Sequence, residues 1–269
     1  MVLEFAAKVQ KIRLIRKNIR KFDKKICLFE KISVTLSRFL GDVNEMTILC
    51  IETSTSTCSA AICQDGVAVA WRIEREQANH ARTAPLMVEE LLKAYPTIDA
   101  VALSGGPGSY TGLRIGTSLA KGLCYGRNIP LLAIDTLSII CASALAQAHV
   151  GEGLLCPMTD ARRMEIYTNL YDLELAPQGE VHAQIVEDGS WLPEKGDIYY
   201  FGDGASKCQA ILADPRYHYI DGIVPDARYM GVLAEEVYKK NPKGEDVAYY
   251  EPFYLKQFVA APSHVKGLK

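Results

Sequence analysis

Residues suited to chemistry gather in three short stretches of this 269-residue chain. "ETSTSTCSAA", Glu52 to Ala61, sets hydroxyls at Thr53, Ser54 and Thr55. Hydroxyls and backbone N–H groups in such a turn suit a phosphate, although Ser and Thr are also ordinary turn residues. "LSGGPGSYTGLRIGTSLAKGL", Leu103 to Leu123, opens like a phosphate loop and continues like a helix. It fits no phosphate signature: no Lys-Ser/Thr pair follows the spacer, and Gly112 falls one residue late for GxGxxG. "DARRMEIYTNLY", Asp160 to Tyr171, sets Asp160 and Arg162 at a turn before a strand, where they reach a ligand or partner. The plainer account is a turn residue and a solvated arginine.

Catalytic sets are sparse. A phosphotransferase needs carboxylates that hold magnesium, and only Glu52 and Asp160 are attractive candidates. The five histidines, at 80, 149, 182, 218 and 264, are scattered, and Ala84 stands four residues after His80, so no two-histidine helical face forms. The nucleophile motif GxSxG is absent. Eight cysteines include no CxxC pair, and runs such as "TILCI" predict reduced, buried thiols.

What remains regular is small residues at every fourth position: Gly108, Gly112, Gly116 and Ala120. On a helix they share one side, where small side chains let another backbone approach closely. Two neighbours fit: the protein's own sheet, or a partner subunit meeting Tyr110, Leu113 and Arg114 beside the groove. From these residues alone both stay open.

The positioning elements follow from periodicity. "TILCIET" is a short buried strand, and "CSAAICQDGVAVAWRIE" reads as two strands joined at Asp65-Gly66, a dipeptide suited to a positive-φ hairpin turn. Helices are predicted over 80–94, 109–126 and from Thr136, taken as the cap of "TLSIICASALAQA"; strands are "DAVALSGG" and "PLLAID". A weaker echo follows: two strands around the turn at Asp160, an extended "QIVED", a strand at "DIYYFGDGA", a short helix over 205–213 and a longer one over 229–239. Two degenerate copies of one topology predict an α/β fold of two lobes with a crevice between them, residues 46–150 forming the first and 151–269 the second lobe and tail.

Residues 1–45 stand apart, with eleven Lys or Arg against five acids, although the whole chain is only −2. That overall balance argues against an autonomous nucleic-acid binder. The segment has the apolar period of a basic amphipathic helix, suited to a membrane surface or a presequence, but its acids argue against a presequence. The clean strand pattern from Met46 favours a third reading, translation starting at Met46. No secretory signal or bilayer-spanning apolar run occurs.

"ILCIETSTSTCSAAI", "SGGPGSYTGLRIGTSLAKGL", "TDARRMEIY" and the tail "EPFYLKQ" together resemble the TsaB (YeaZ) family, over Met46 to about Gln257. The resemblance implies the two-lobed actin-like (ASKHA, ribonuclease H-like) fold and a non-catalytic subunit in bacterial synthesis of tRNA threonylcarbamoyladenosine. It implies a catalytic paralogue of TsaD type, an ATPase of TsaE type, a homodimer when alone, tRNA reached through the complex, and a cytoplasmic location without a membrane. No cofactor is expected on the subunit itself, with ATP or ADP at the complex interface. The family's partner face is the helix after GPGS, which transfers to Gly108, Ser109, Tyr110, Thr111, Gly112, Leu113, Arg114, Gly116, Thr117 and Ala120; crevice contacts fall on Thr53, Ser54, Thr55, Asp160 and Arg162. On this reading Gly112→Leu or Gly116→Leu blocks the partner and leaves the fold intact. The rival is an autonomous actin-like ATPase or kinase using the crevice; nothing in the sequence supports the peptidase chemistry attached to the older glycoprotease label. Tyr110 stands where the family commonly has Phe, and beyond Tyr171 the resemblance is weak until the tail.

Overall fold

A computed structural model describes residues 46–75 and 79–256; the basic segment 1–45, Cys27, His264 and Gln257 lie outside them. Strand β1 (Thr47–Glu52) is buried at every position, with Ile48 and Cys50 on one face and Leu49 and Ile51 on the other. Both faces of a central strand need cover, so its sequence is a continuous apolar run rather than an alternation. Strands β2 (Cys58–Gln64) and β3 (Val67–Glu74) extend the sheet antiparallel on one side. Their turn is at Asp65 and Gly66, both at positive φ (48° and 76°), as the dipeptide predicts. Strands β4 (Ala100–Ser104) and β5 (Leu131–Ile134) add in parallel on the other side, giving the order β3-β2-β1-β4-β5.

The second sheet repeats this plan. Strand β6 (Leu154–Asp160) is central, β7 (Glu165–Thr168) and β8 (His182–Ile185) extend it antiparallel, and β9 (Ile198–Phe201) and β10 (Tyr217–Ile220) extend it in parallel. The duplicated, two-lobed actin-like topology is therefore present in full at the level of strands. Among helices the copy has decayed. The helix expected over 205–213 is a three-residue 3-10 turn, Ser206–Cys208. The one expected over 229–239 divides into a 3-10 turn, Ala227–Tyr229, and the helix Gly231–Lys240.

The lobes share helices. α1 (His80–Ala94) and α2 (Tyr110–Arg127) cover one face of the first sheet through Val88, Leu91, Ala120 and Cys124. α3 (Thr136–Gln147) presents Leu137, Ile140, Cys141 and Ala144 to Leu155, Tyr171 and Phe201 of the second lobe, and Ile139 to the first. α4 (Gly231–Lys240) returns to the other face of the first sheet, so the segment after residue 150 also completes the first core. All seven described cysteines are buried and unbridged, as their apolar settings predict.

The cap of α3 corrects the sequence reading. Asp135, not Thr136, is the N-cap, its carboxylate accepting from the amides of Leu137 and Ser138. Thr136 is turned inward, where its Oγ1 accepts from Gly106 N at 3.2 Å. Asp135 also accepts the Tyr171 hydroxyl at 2.6 Å, a contact joining the two lobes, and burial and that carboxylate both hold the phenol above its ordinary range. Asp135→Ala removes a helix cap and strands the nearly buried Tyr171 hydroxyl, so a loss of about 2 kcal/mol or more is expected in urea unfolding. Tyr171→Phe should recover part of that loss in the double variant.

Candidate functional site

The ends of β1 and β4 bring the Glu52–Thr57 loop against the start of α2. Ser109 caps α2, its Oγ accepting from Gly112 N, while Ser109 N donates to Ser54 O at 2.6 Å. Thr53 Oγ1 donates to Gly112 O at 2.8 Å, and Thr53 N donates to Ser104 Oγ. Here the period-four stripe finds its neighbour. A Cβ at Gly112 would overlap Thr53 O, one at Gly116 the Thr53 hydroxyl, and one at Gly108 the Ser54 carbonyl and side chain. Ala120, fully buried, packs against the sheet. Gly112 and Gly116 therefore serve the protein's own loop, and an account in which they open a groove for another subunit does not hold. Gly108 lies before the helix, outside the stripe proper.

The residues transferred from the family divide accordingly. Gly112, Leu113, Gly116, Thr117 and Ala120 are buried in the first lobe; Ser109, Thr111 and Arg114 are exposed, and Gly108 and Tyr110 are half-buried. The Arg114 guanidinium lies 4.4 Å from the Tyr110 ring centroid, and Tyr110 packs against Tyr254 at 4.9 Å. The true outward side of α2 carries Ser118, Gly122 and Tyr125, all exposed. A Cβ at Gly122 or Gly126 meets open space, and Tyr125 is 85% exposed.

Between the lobes lies a cavity of about 1030 Å³. Ser54, Thr55, Asp160 and Arg162 line it; Thr53 does not, being buried behind them. At the β6–β7 turn Arg162 and Arg163 both adopt positive φ (69° and 50°), uncommon for residues with side chains. Asp160 is ion-paired with Lys207. His80, the first residue of α1, has its Nε2 2.7 Å from Thr55 O, an N–H to carbonyl contact that ties the loop to the helix.

Sequence patterns gave no signal for the tail as a wall of this cavity. Phe253 N donates to Gly105 O at 2.7 Å on the first lobe, while Lys256 pairs with Glu165 on the second. Thr159 was equally hidden: it lines the cavity, is 1% exposed, and its hydroxyl has no partner among the described residues. Only its position at the end of a central strand marks it.

Glu52 sits under the loop with no exposure. Its Oε1 accepts from Ser54 N and Ser54 Oγ, both at 2.6 Å, and its Oε2 has no partner among the described residues. Burial raises its pKa to about 7, with the Asp226 charge adding to the rise and the Ser54 hydrogen bonds opposing it. Asp203, on the cavity wall, rises to about 6, chiefly through burial, although Asp160 N donates to it. Among the described residues no group of three or more His, Cys, Asp or Glu side chains is placed to hold a metal ion.

Comparison with known proteins follows the same lines. Residues 74–191 match the family model described as TsaD, tRNA N6-adenosine threonylcarbamoyltransferase. The tRNA threonylcarbamoyladenosine biosynthesis protein TsaB of Bacillus subtilis is 38% identical over 130 residues, 47% of this chain and 55% of that protein. The Escherichia coli protein of the same description is 28% identical over 233 residues, 80% of this chain and 96% of its own length. The chain thus spans about half the length of the first relative and nearly all of the second. The solved structure of YeaZ from Pseudomonas aeruginosa superposes with a TM-score of 0.69 at 27% identity, over 78% of this chain and 100% of that one.

Two outcomes test the loop–helix contact. Gly112→Ala gains helix propensity of up to about 1 kcal/mol, yet overpacking against Thr53 should cost more, about 1–3 kcal/mol. A lowered midpoint in thermal melting is expected, and an unchanged one would show that the loop yields freely. For Glu52 the folded pKa lies above the unfolded value, so the native state holds the extra proton between about pH 4.5 and pH 7. Stability should fall as pH rises through that window and level off above it. Glu52→Gln, which keeps an oxygen acceptor for Ser54, should flatten the profile and melt no lower than the parent at pH 7.5.

Proposed function

The chain belongs to the TsaB (YeaZ) family, and on that premise we propose that it is a non-catalytic partner subunit in bacterial tRNA threonylcarbamoyladenosine biosynthesis. Its role is to hold a catalytic paralogue of TsaD type, with a TsaE-type ATPase and tRNA joining through the complex, in the cytoplasm. No helix among the described residues is long and apolar enough to cross a membrane.

The observation that carries the reading is the outward side of α2. Ser118 and Gly122 leave it low, with the exposed Tyr125 at one end. α1 packs alongside and exposes half of Leu86. A level, partly apolar surface on two adjacent helices suits close helix-to-helix packing by a subunit built on the same plan, either the TsaD-type paralogue or, in its absence, a second copy. ATP or ADP at that shared interface belongs to the same proposal.

Light scattering of the protein alone and mixed with the TsaD-type protein of its organism tests this. The expected results are a dimer alone and a mixed complex when both are present. Gly122→Trp should abolish both with no change in melting temperature, since its Cβ meets open space. Normal assembly by Gly122→Trp would refute this face. An autonomous ATPase or kinase draws its support from the cavity itself, and would show as nucleotide hydrolysis by the purified chain that Arg162→Gln removes.

A further inference from the structure

We infer that the tail turn Asp246–Tyr250 is a second contact element beside α2, presenting Tyr249 as an anchor to a second copy of this chain. The inference rests on the reading of α2 as the contact helix and adds to it an element outside that helix.

The turn is fixed from three sides. Glu245 N donates to Leu131 O at 2.8 Å, so the chain enters the turn from a bridge on the edge strand β5. Asp246 then closes the turn on itself. Its Oδ1 accepts from Ala248 N at 2.8 Å and from Tyr249 N at 3.3 Å, and its carbonyl accepts from Tyr250 N at 2.7 Å. An aspartate that takes the amides two and three residues on supports a turn without outside help. From α2, Lys121 Nζ donates to Ala248 O at 3.1 Å and to Tyr250 O at 3.2 Å. One ammonium therefore holds the carbonyls on both sides of Tyr249, and charge-assisted bonds of this kind are stronger than neutral ones.

Held in this way, the two tyrosines of the turn part company. Tyr250 is half-buried and packs on the first core, its hydroxyl where a Cβ at Gly105 would come within 3.0 Å. Tyr249 points outward and is 85% exposed. Tyr125, one helical turn beyond Lys121 on the same side of α2, is 85% exposed as well. A single exposed aromatic is ordinary on a soluble protein. Here two are gathered about one lysine, and Tyr249 rides on backbone that hydrogen bonds already hold. Covering such a ring costs little ordering, and tyrosine is a residue in which binding energy concentrates.

The same surface offers low ground for these rings. Ser118 and Gly122 are exposed on it, and a Cβ at Gly122 meets open space. Projections and low ground on one patch are what a two-fold interface requires, since the patch must fit itself. A two-fold axis passing between Lys121 and Gly122 sets Tyr125 of each copy over Ser118 of the other, the two positions being equally far from it. Tyr249, fixed at the level of Lys121, then flanks the close approach of the two helices.

Sedimentation equilibrium of the full chain over a dilution series gives the dimer dissociation constant. Tyr249→Ala should raise it roughly tenfold or more, as loss of an aromatic anchor does. Its melting temperature should match the parent's at dilutions where both are monomeric. Tyr249→Phe, which keeps the ring, should dimerise nearly as tightly as the parent. Lys121→Met keeps Tyr249 and frees the turn, and should weaken dimerisation several-fold. Gly122→Trp separates the two readings. If it assembles normally, α2 is not the contact helix and both fall. If it stays monomeric while Tyr249→Ala dimerises like the parent, this inference alone is overturned. A Tyr249→Ala chain that dimerises normally yet fails to bind the TsaD-type protein would assign the turn to the paralogue and overturn the second copy. A parent chain that is monomeric at every concentration would overturn it too.

Discussion

The Thr53 carbonyl occupies the space where a side chain at Gly112 would stand, and much of the first lobe follows from that contact. The loop can lie directly on α2 only because Gly112 and Gly116 carry no Cβ. With the loop seated, Thr53 Oγ1 reaches Gly112 O and Ser54 O receives Ser109 N, so the backbone polar groups of a tight turn find partners inside the fold. The same seating buries Glu52 under the loop and raises its pKa to about 7. Helix propensity lost to the glycines is offset by the backbone contact they permit.

A second constraint is that neither sheet covers itself. Each central strand is apolar on both faces, and the second copy has lost most of its helices. α3 therefore serves both lobes and α4 returns to the first. The Asp135–Tyr171 hydrogen bond lies where this sharing happens, with helix cap and lobe contact in one carboxylate. The tail spans the crevice from Gly105 to Glu165.

These constraints separate two surfaces of α2. The inner one, with the loop, meets the cavity; the outer one, with Ser118, Gly122 and Tyr125, faces solvent.

Local pattern was enough for much of this. The continuous apolar run of β1, the Asp65-Gly66 hairpin, the bounds of α1 and the spacing of the glycines are properties of short windows, and the three-strand, αβ, αβ order followed from them. The crevice positions of Ser54, Thr55, Asp160 and Arg162 were not legible in this way, since by type alone they read as ordinary turn residues and a solvated arginine. The neighbour of the glycine stripe was decided elsewhere, by Thr53 about sixty residues earlier in the chain. A period of four marks a helix side without saying what lies against it. For the same reason, the sequence put the cap on Thr136, whereas in the fold Asp135 takes it and Gly106 N donates to the threonine. β10 and the return of α4 depend on cover supplied by distant strands, and the cavity roles of Thr159 and Lys256 on which strand ends the fold brings together. Periodicity is written in neighbouring residues, whereas close approach, capping choice and site assembly depend on contacts that only the folded chain makes.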